Sequence, residues 1–150
     1  MALYYLETSA AVKLYIREPG TAQLLRLTKS RRDRFAVLSV TQVEFRSAVR
    51  RRQRAGDITQ DLAATLVKRF AHHLEAFFLR QTLSDGVLEV SCDLLDRHPL
   101  RAYDAVQLAG CLVLKASAPK EQTVFVCSDD PLIQAAQREG VEVLNPAAAE

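Results

Sequence analysis

Five short β-type runs alternate with segments of helical period along 150 residues, and that alternation restricts the chain to few architectures. The runs lie at 3–6 (LYYL), 35–38 (FAVL), 87–90 (VLEV), 123–127 (TVFVC) and 141–144 (VEVL), each bracketed by polar or turn residues. Apolar residues recur every three or four positions over 8–16, 21–30, 41–55, 59–80, 91–97, 101–116 and 131–139. Strands that alternate with helices pair in parallel, because parallel neighbours need crossover connections. The expected fold is therefore α/β, a three-layer α/β/α domain around a mainly parallel sheet of about five strands. The stretch 59–83 departs from the rhythm, since it carries a long helical segment and no strand before Gly86; it is expected to pack as a helical arm or hairpin.

A chain of this length, 49% hydrophobic, supports one core and falls short of two ordinary domains. We expect one domain over 1–146 and a short tail at 147–150. The longest apolar stretch, 108–114, ends at Lys115, well below the ~20 residues of a membrane span. Lys13, Arg17 and Glu18 interrupt any signal-like apolar region, so a cytoplasmic, membrane-free protein is expected. Cys92, Cys111 and Cys127 are odd in number and widely spaced, which suits free thiols in or near the core rather than a disulfide or zinc framework.

The net charge of +2 conceals an asymmetry. Residues 24–54 hold ten Lys/Arg against Asp33 and Glu44, a local charge of +8 that leaves −6 for the rest. Such a face attracts polyanions, of which nucleic acid is the commonest, although an Arg-rich solvated helix face has the same composition.

Four acids stand at element ends. Glu7 follows the first run and Asp129 the run at 123–127; Glu44 and Asp104 lie near the starts of the third and sixth helical segments. In open α/β sheets, functional groups gather past the carboxyl ends of strands. Each acid also has a structural reading. Glu44 completes a capping-box pattern with Thr41, Asp104 suits a helix first turn, Asp130 before Pro131 reads as an N-cap that leaves Asp129 spare, and Glu7 precedes a helix that Thr8 or Ser9 could cap. Against these stands their apolar company. Asp104 shares a helical face with Leu108 and Cys111, and Glu44 lies between Val43 and Phe45. An inward carboxylate costs several kcal/mol unless it is paired or metal-bound. Converging carboxylates form a hard-oxygen site suited to Mg²⁺ or Mn²⁺. His72, His73 and His98 show no ligand spacing relative to the acids.

The ordered set of motifs resembles PIN-domain proteins, most closely the VapC-type toxins of type II toxin–antitoxin systems. It comprises a strand ending at Glu7-Thr8-Ser9, Glu44 early in a helix, LRAYDAVQLA around Asp104 and FVCSDDPLIQAA around Asp129, and it spans residue 3 to about 146. The resemblance implies a metal-dependent endoribonuclease whose catalytic and metal-holding residues are Glu7, Glu44, Asp104 and Asp129. It implies Mg²⁺ or Mn²⁺ as cofactor, supporting roles for Ser9 and Asp130, and a basic rim of Arg46, Arg50, Arg51 and Arg101 that holds RNA. It further implies a homodimer and a cognate antitoxin, whose groove or a dimer contact would suit Leu66, Phe70, Leu74, Phe77 and Phe78; core packing explains those side chains equally well. One position departs from the pattern: Glu7 stands where the family usually has Asp, which moves the carboxylate outward by about 1.5 Å. Mg²⁺ demands near-octahedral ligands at about 2.0–2.1 Å. Two other functions therefore stay open, a PIN nuclease of RNA maturation and a catalytically impaired RNA- or protein-binding module.

Overall fold

The computed structural model describes residues 1–148. Five parallel strands form one sheet in the order β3-β2-β1-β4-β5, with β1 (Ala2–Leu6) at the centre. β2 (Arg34–Leu38) and β4 (Gln122–Val126) flank it, and β3 (Leu79–Gln81) and β5 (Glu142–Leu144) form the edges. Strands β1, β2, β4 and β5 match the expected runs.

Two sequence readings are corrected. Residues 87–90 are not a strand but lie inside a helix, α5 (Asp85–Arg97). The Ser84 hydroxyl accepts from Val87 N at 3.2 Å and starts the helix, and the buried positions Val87, Ser91 and Leu94 follow helical rather than twofold spacing. The missing strand is β3, where the long helix was expected to continue. Its residues are exposed or half-buried, as befits an edge, so no apolar alternation marks them.

The chain moves from β1 to β2 to β3 through α1 (Thr8–Lys13), α2 (Thr21–Leu27), α3 (Thr41–Arg54) and α4 (Gln60–Ala76). It returns to β4 and β5 through α5, α6 (Ala102–Ser117) and α7 (Asp130–Arg138). Right-handed crossovers place connections of opposite direction on opposite faces of the sheet. The apolar clusters agree. Leu3, Tyr5, Ala36, Leu38 and Phe125 pack with α5, α6 and α7, whereas Leu6, Phe35, Val37 and Val126 pack with α1, α3 and α4. Leu66, Phe70, Leu74 and Phe78 are buried in the second cluster, so core packing accounts for them; Phe77 is exposed.

Of the cysteines, Cys111 and Cys127 are buried, but Cys92 lies exposed on α5, outside the core expected for it. His98 is buried against Glu139 at 2.7 Å, and His72 is exposed. Within the expected tail, Ala147 and Ala148 bond back to Asn145, and the last two residues lie outside the described residues. Among the described residues, no helix is long and apolar enough to cross a membrane.

Candidate active site

The strand order reverses between β1 and β4, since the connection from β1 leads one way and that from β4 the other. Ligand crevices of open α/β sheets lie outside the strand carboxyl ends at this switch point. Leu6 pairs with Val126 at the ends of the two strands, and Glu7 N donates to Val126 O at 3.2 Å, so Glu7 and the loop to Asp129 leave the sheet side by side.

Each acid is held by its own local chemistry. Glu7 is the N-cap of α1: its Oε2 accepts from Ser9 N at 3.1 Å and from the Ser9 hydroxyl. Ser9 thus supports Glu7 directly, and neither Thr8 nor Ser9 caps the helix. Asp129, not Asp130, is the N-cap of α7, with Oδ2 accepting from Leu132 N at 3.2 Å. Asp130 becomes the first helical residue, with an exposed side chain, and Pro131 follows it. Asp104 is half-buried in the first turn of α6, with Arg101 Nε 3.5 Å from Oδ2.

The capping box suggested for Thr41 and Glu44 does not form, because Val40 is the N-cap of α3 and no side chain caps it. Glu44 instead enters a polar network. Gln107 Nε2 donates to Glu44 Oε1 at 2.7 Å and to the hydroxyls of Thr8 at 3.0 Å and Thr41 at 3.1 Å. The Thr8 hydroxyl also donates to Glu44 Oε1 at 3.0 Å. Thr8, Thr41 and Gln107 are buried, and sequence reasoning missed all three. A signal existed for Gln107, which sits on α6 among the buried Ala105, Leu108 and Cys111, where a polar residue needs a partner.

A single pattern unites the four acids. Glu7, Glu44 and Asp129 each bond one carboxylate oxygen to protein, Asp104 meets only the exposed Arg101 at 3.5 Å, and among the described residues Glu7 Oε1, Glu44 Oε2, Asp104 Oδ1 and Asp129 Oδ1 have no hydrogen-bond partner. Their electrostatics are coupled. Burial pushes the Glu7 carboxyl up, Ser9 pulls it back, and the charges of Glu44 and Asp104 raise it again. Burial likewise raises Asp104, Arg101 opposes the rise and Asp129 adds to it. Burial pushes the Cys127 thiol up to about 12, its hydrogen bond with the Asp129 backbone opposes the rise, and the charges of Glu7, Asp129 and Asp104 add to it.

Glu7 and Glu44 border a cavity of about 550 Å³ that also touches Ser47, Arg51, Arg52 and Tyr103. Arg51 therefore shares the cavity with two of the acids. Arg46 is exposed elsewhere on α3, Arg50 Nη1 bonds Gln53 at 2.9 Å, and Arg101 stands beside Asp104. Asp104 and Asp129 are not among the cavity's walls. Among the described residues, no three His, Cys, Asp or Glu side chains stand close enough to close around one ion. The donor chemistry still fits Mg²⁺, which takes one or two carboxylates and keeps several waters rather than filling a protein cage.

This architecture is a PIN-like three-layer α/β/α fold. It is similar over 95% of the chain to VapBC2 from Rickettsia felis bound to a DNA fragment from their promoter, with 98% of that chain covered, 12% identity and a TM-score of 0.64. A toxin–antitoxin complex from Klebsiella pneumoniae aligns over 97% of this chain and 98% of its own at 17% identity and TM-score 0.60. PAE2754 from Pyrobaculum aerophilum aligns over 95% and 83% at 23% identity and TM-score 0.62. No protein family's sequence profile matches the chain. No curated protein matches it in sequence.

Proposed function

We propose that this chain is an endoribonuclease dependent on Mg²⁺ or Mn²⁺ and the toxin of a pair whose other member is a small antitoxin. The observation that carries the reading is the set of four carboxylates by the switch point of the sheet, three of them with one oxygen hydrogen-bonded to protein and each with the other oxygen unbonded among the described residues. Anchored carboxylates with free oxygens are pre-positioned donors, and like charges gathered with few cations are stabilised by a divalent ion. Such an ion, when bound, polarises the scissile phosphate and lowers the pKa of a coordinated water.

The chain's own residues supply the rest. Glu7 and Glu44 would hold the ion at the cavity, and Asp104 and Asp129, outside its walls, would add negative charge beyond its waters. Arg51, inside the cavity, would draw in the phosphate, and Arg46, Arg50 and the highly exposed Arg101 would hold the flanking backbone. Tyr103, 67% exposed at the cavity rim, offers a ring on which an unstacked base can lie, which favours single-stranded RNA. The Klebsiella toxin–antitoxin complex supports the antitoxin partner. The exposed Phe77 and Leu25, on a second groove of about 380 Å³ beside Tyr15, would serve that contact or a homodimer.

Two observations favour a second reading, a binding module that has lost catalysis: among the described residues no three ligating side chains converge, and Glu7 stands where the pattern has Asp. Cleavage of total RNA separates the two. Discrete cuts that require Mg²⁺ or Mn²⁺ and disappear in Asp104→Asn support the nuclease. RNA retention without cutting, by the parent and by Glu7→Asp alike, supports the binding module.

A further inference from the structure

Gln107 is 1% exposed, yet its side chain makes polar contacts with four residues from three elements, Tyr5 of β1, Thr8 of α1, and Thr41 and Glu44 of α3. The sequence separations are 102 residues to Tyr5, 99 to Thr8, 66 to Thr41 and 63 to Glu44. Gln107 belongs to the helical layer on one face of the sheet, whereas Thr8, Thr41 and Glu44 belong to the other. Its amide therefore reaches across the carboxyl edge and joins the two layers at the cavity.

The direction of that amide follows from its neighbours. The Tyr5 hydroxyl donates to Oε1 at 3.3 Å, which turns Nε2 toward Glu44. The reverse orientation would set the amide oxygen against a carboxylate oxygen, two acceptors 2.7 Å apart with no proton between them. Tyr5 in turn reaches this place because residue 110 is glycine: a Cβ there would collide with the Tyr5 hydroxyl and lie 2.9 Å from Leu38 Cδ1.

We infer that Gln107 is a positioning residue: by fixing Oε1 of Glu44 it turns Oε2 toward the cavity, where a divalent cation is held. The inference rests on the metal-dependent reading above. Residues that orient a ligand typically affect metal affinity 10–100-fold when replaced, and a buried, multiply bonded amide on a carboxylate has that geometry.

The test is Mn²⁺ affinity, measured by electron paramagnetic resonance on the purified chain and on Gln107→Leu, Tyr5→Phe, Glu44→Gln and the Gln107→Leu/Glu44→Gln pair. Gln107→Leu is expected to weaken Mn²⁺ binding about 10–100-fold. Tyr5→Phe, which keeps the ring and frees the amide to rotate, is expected to weaken it less. In the Glu44→Gln background the Gln107→Leu effect is expected to disappear, because Gln107 acts through Glu44. Equal Mn²⁺ affinity in parent and Gln107→Leu, or an undiminished effect in the Glu44→Gln background, overturns the inference and leaves the nuclease reading standing. A parent chain that takes up no Mn²⁺ overturns both. Should Gln107→Leu fail to fold, Tyr5→Phe decides: an affinity equal to the parent's overturns the inference.

Discussion

Ser9 donates both its backbone N–H and its hydroxyl to one oxygen of Glu7, so the residue that departs from the PIN pattern is also the cap of the helix that follows it. The two tasks are separable. Aspartate is at least as good an N-cap as glutamate, so Glu7→Asp is expected to leave stability within about 1 kcal/mol of the parent. It retracts the carboxylate by about 1.5 Å toward the position the pattern prescribes. Misplacement of an active-site group by about 1 Å can cost on the order of 10²-fold, so the initial cleavage rate of Glu7→Asp on single-stranded RNA is expected to rise at least several-fold. A fall in rate would mean that the site is built around the longer side chain.

Asp104 is expected to reduce the stability of the metal-free protein at neutral pH. Burial, aided by Asp129 and opposed by Arg101, holds its carboxyl above the ordinary range. An acid with a raised folded pKa stabilises the fold only while protonated: the contribution is complete below the unfolded value and is lost as pH rises through the folded one. Asp104→Asn, which stays neutral, is therefore expected to be more stable than the parent at pH 7 in EDTA. The gap should close toward about pH 4. Urea denaturation at the two pH values measures it, and a gap that widens on acidification would show that the sign is wrong.

Gly110→Ala should destabilise the chain by about 1–3 kcal/mol, because the added methyl meets the Tyr5 hydroxyl and Leu38. Tyr5→Phe removes the colliding oxygen but leaves Gln107 Oε1 without its donor, a comparable cost. The double variant is expected to lose less than the sum of the two in equilibrium unfolding. Strict additivity would mean that the contact between the two positions is relieved by backbone movement.

Arg51 and Tyr103 line one cavity but should act on RNA by different physics. Arg51→Ala is expected to weaken binding of a single-stranded oligonucleotide and to reduce the slope of log affinity against log salt by about 0.7. Tyr103→Ala is expected to weaken binding by about 1–3 kcal/mol per stacked base with the slope unchanged. Affinities titrated at several salt concentrations check both, and a shallower slope for Tyr103→Ala would argue against stacking.

Much of the fold was legible because its signals are local. Four of the five strands announce themselves as short apolar runs, and the helical segments as apolar stripes of period three to four. The failures have local causes too. In 87–90, VLEV satisfies both periods over four residues, and the Ser84 cap beyond the run decided for helix. β3 carries little apolar residue content because an edge strand with exposed faces needs none. At Asp129 and Asp130, Pro131 tolerates either of the first helical positions, so the cap could be read one residue late.

The candidate site divides along the same line. Glu7, Glu44, Asp104 and Asp129 were recognisable from their places at element ends and their apolar company, features written in adjacent residues. Thr8 and Gln107, which bond Glu44, and Thr41, which bonds both of them, were not, because their meaning arises from partners 33 to 102 residues away. Periodicity records which face of a helix is buried but not what that face meets. The crossing of α6 over the carboxyl edge of β1, close enough for one amide to touch both helical layers, is set by sheet order, crossover handedness and the missing side chain of Gly110 together. Hydrogen bonds act over about 3 Å, and only the folded chain brings residues so distant in sequence within that range.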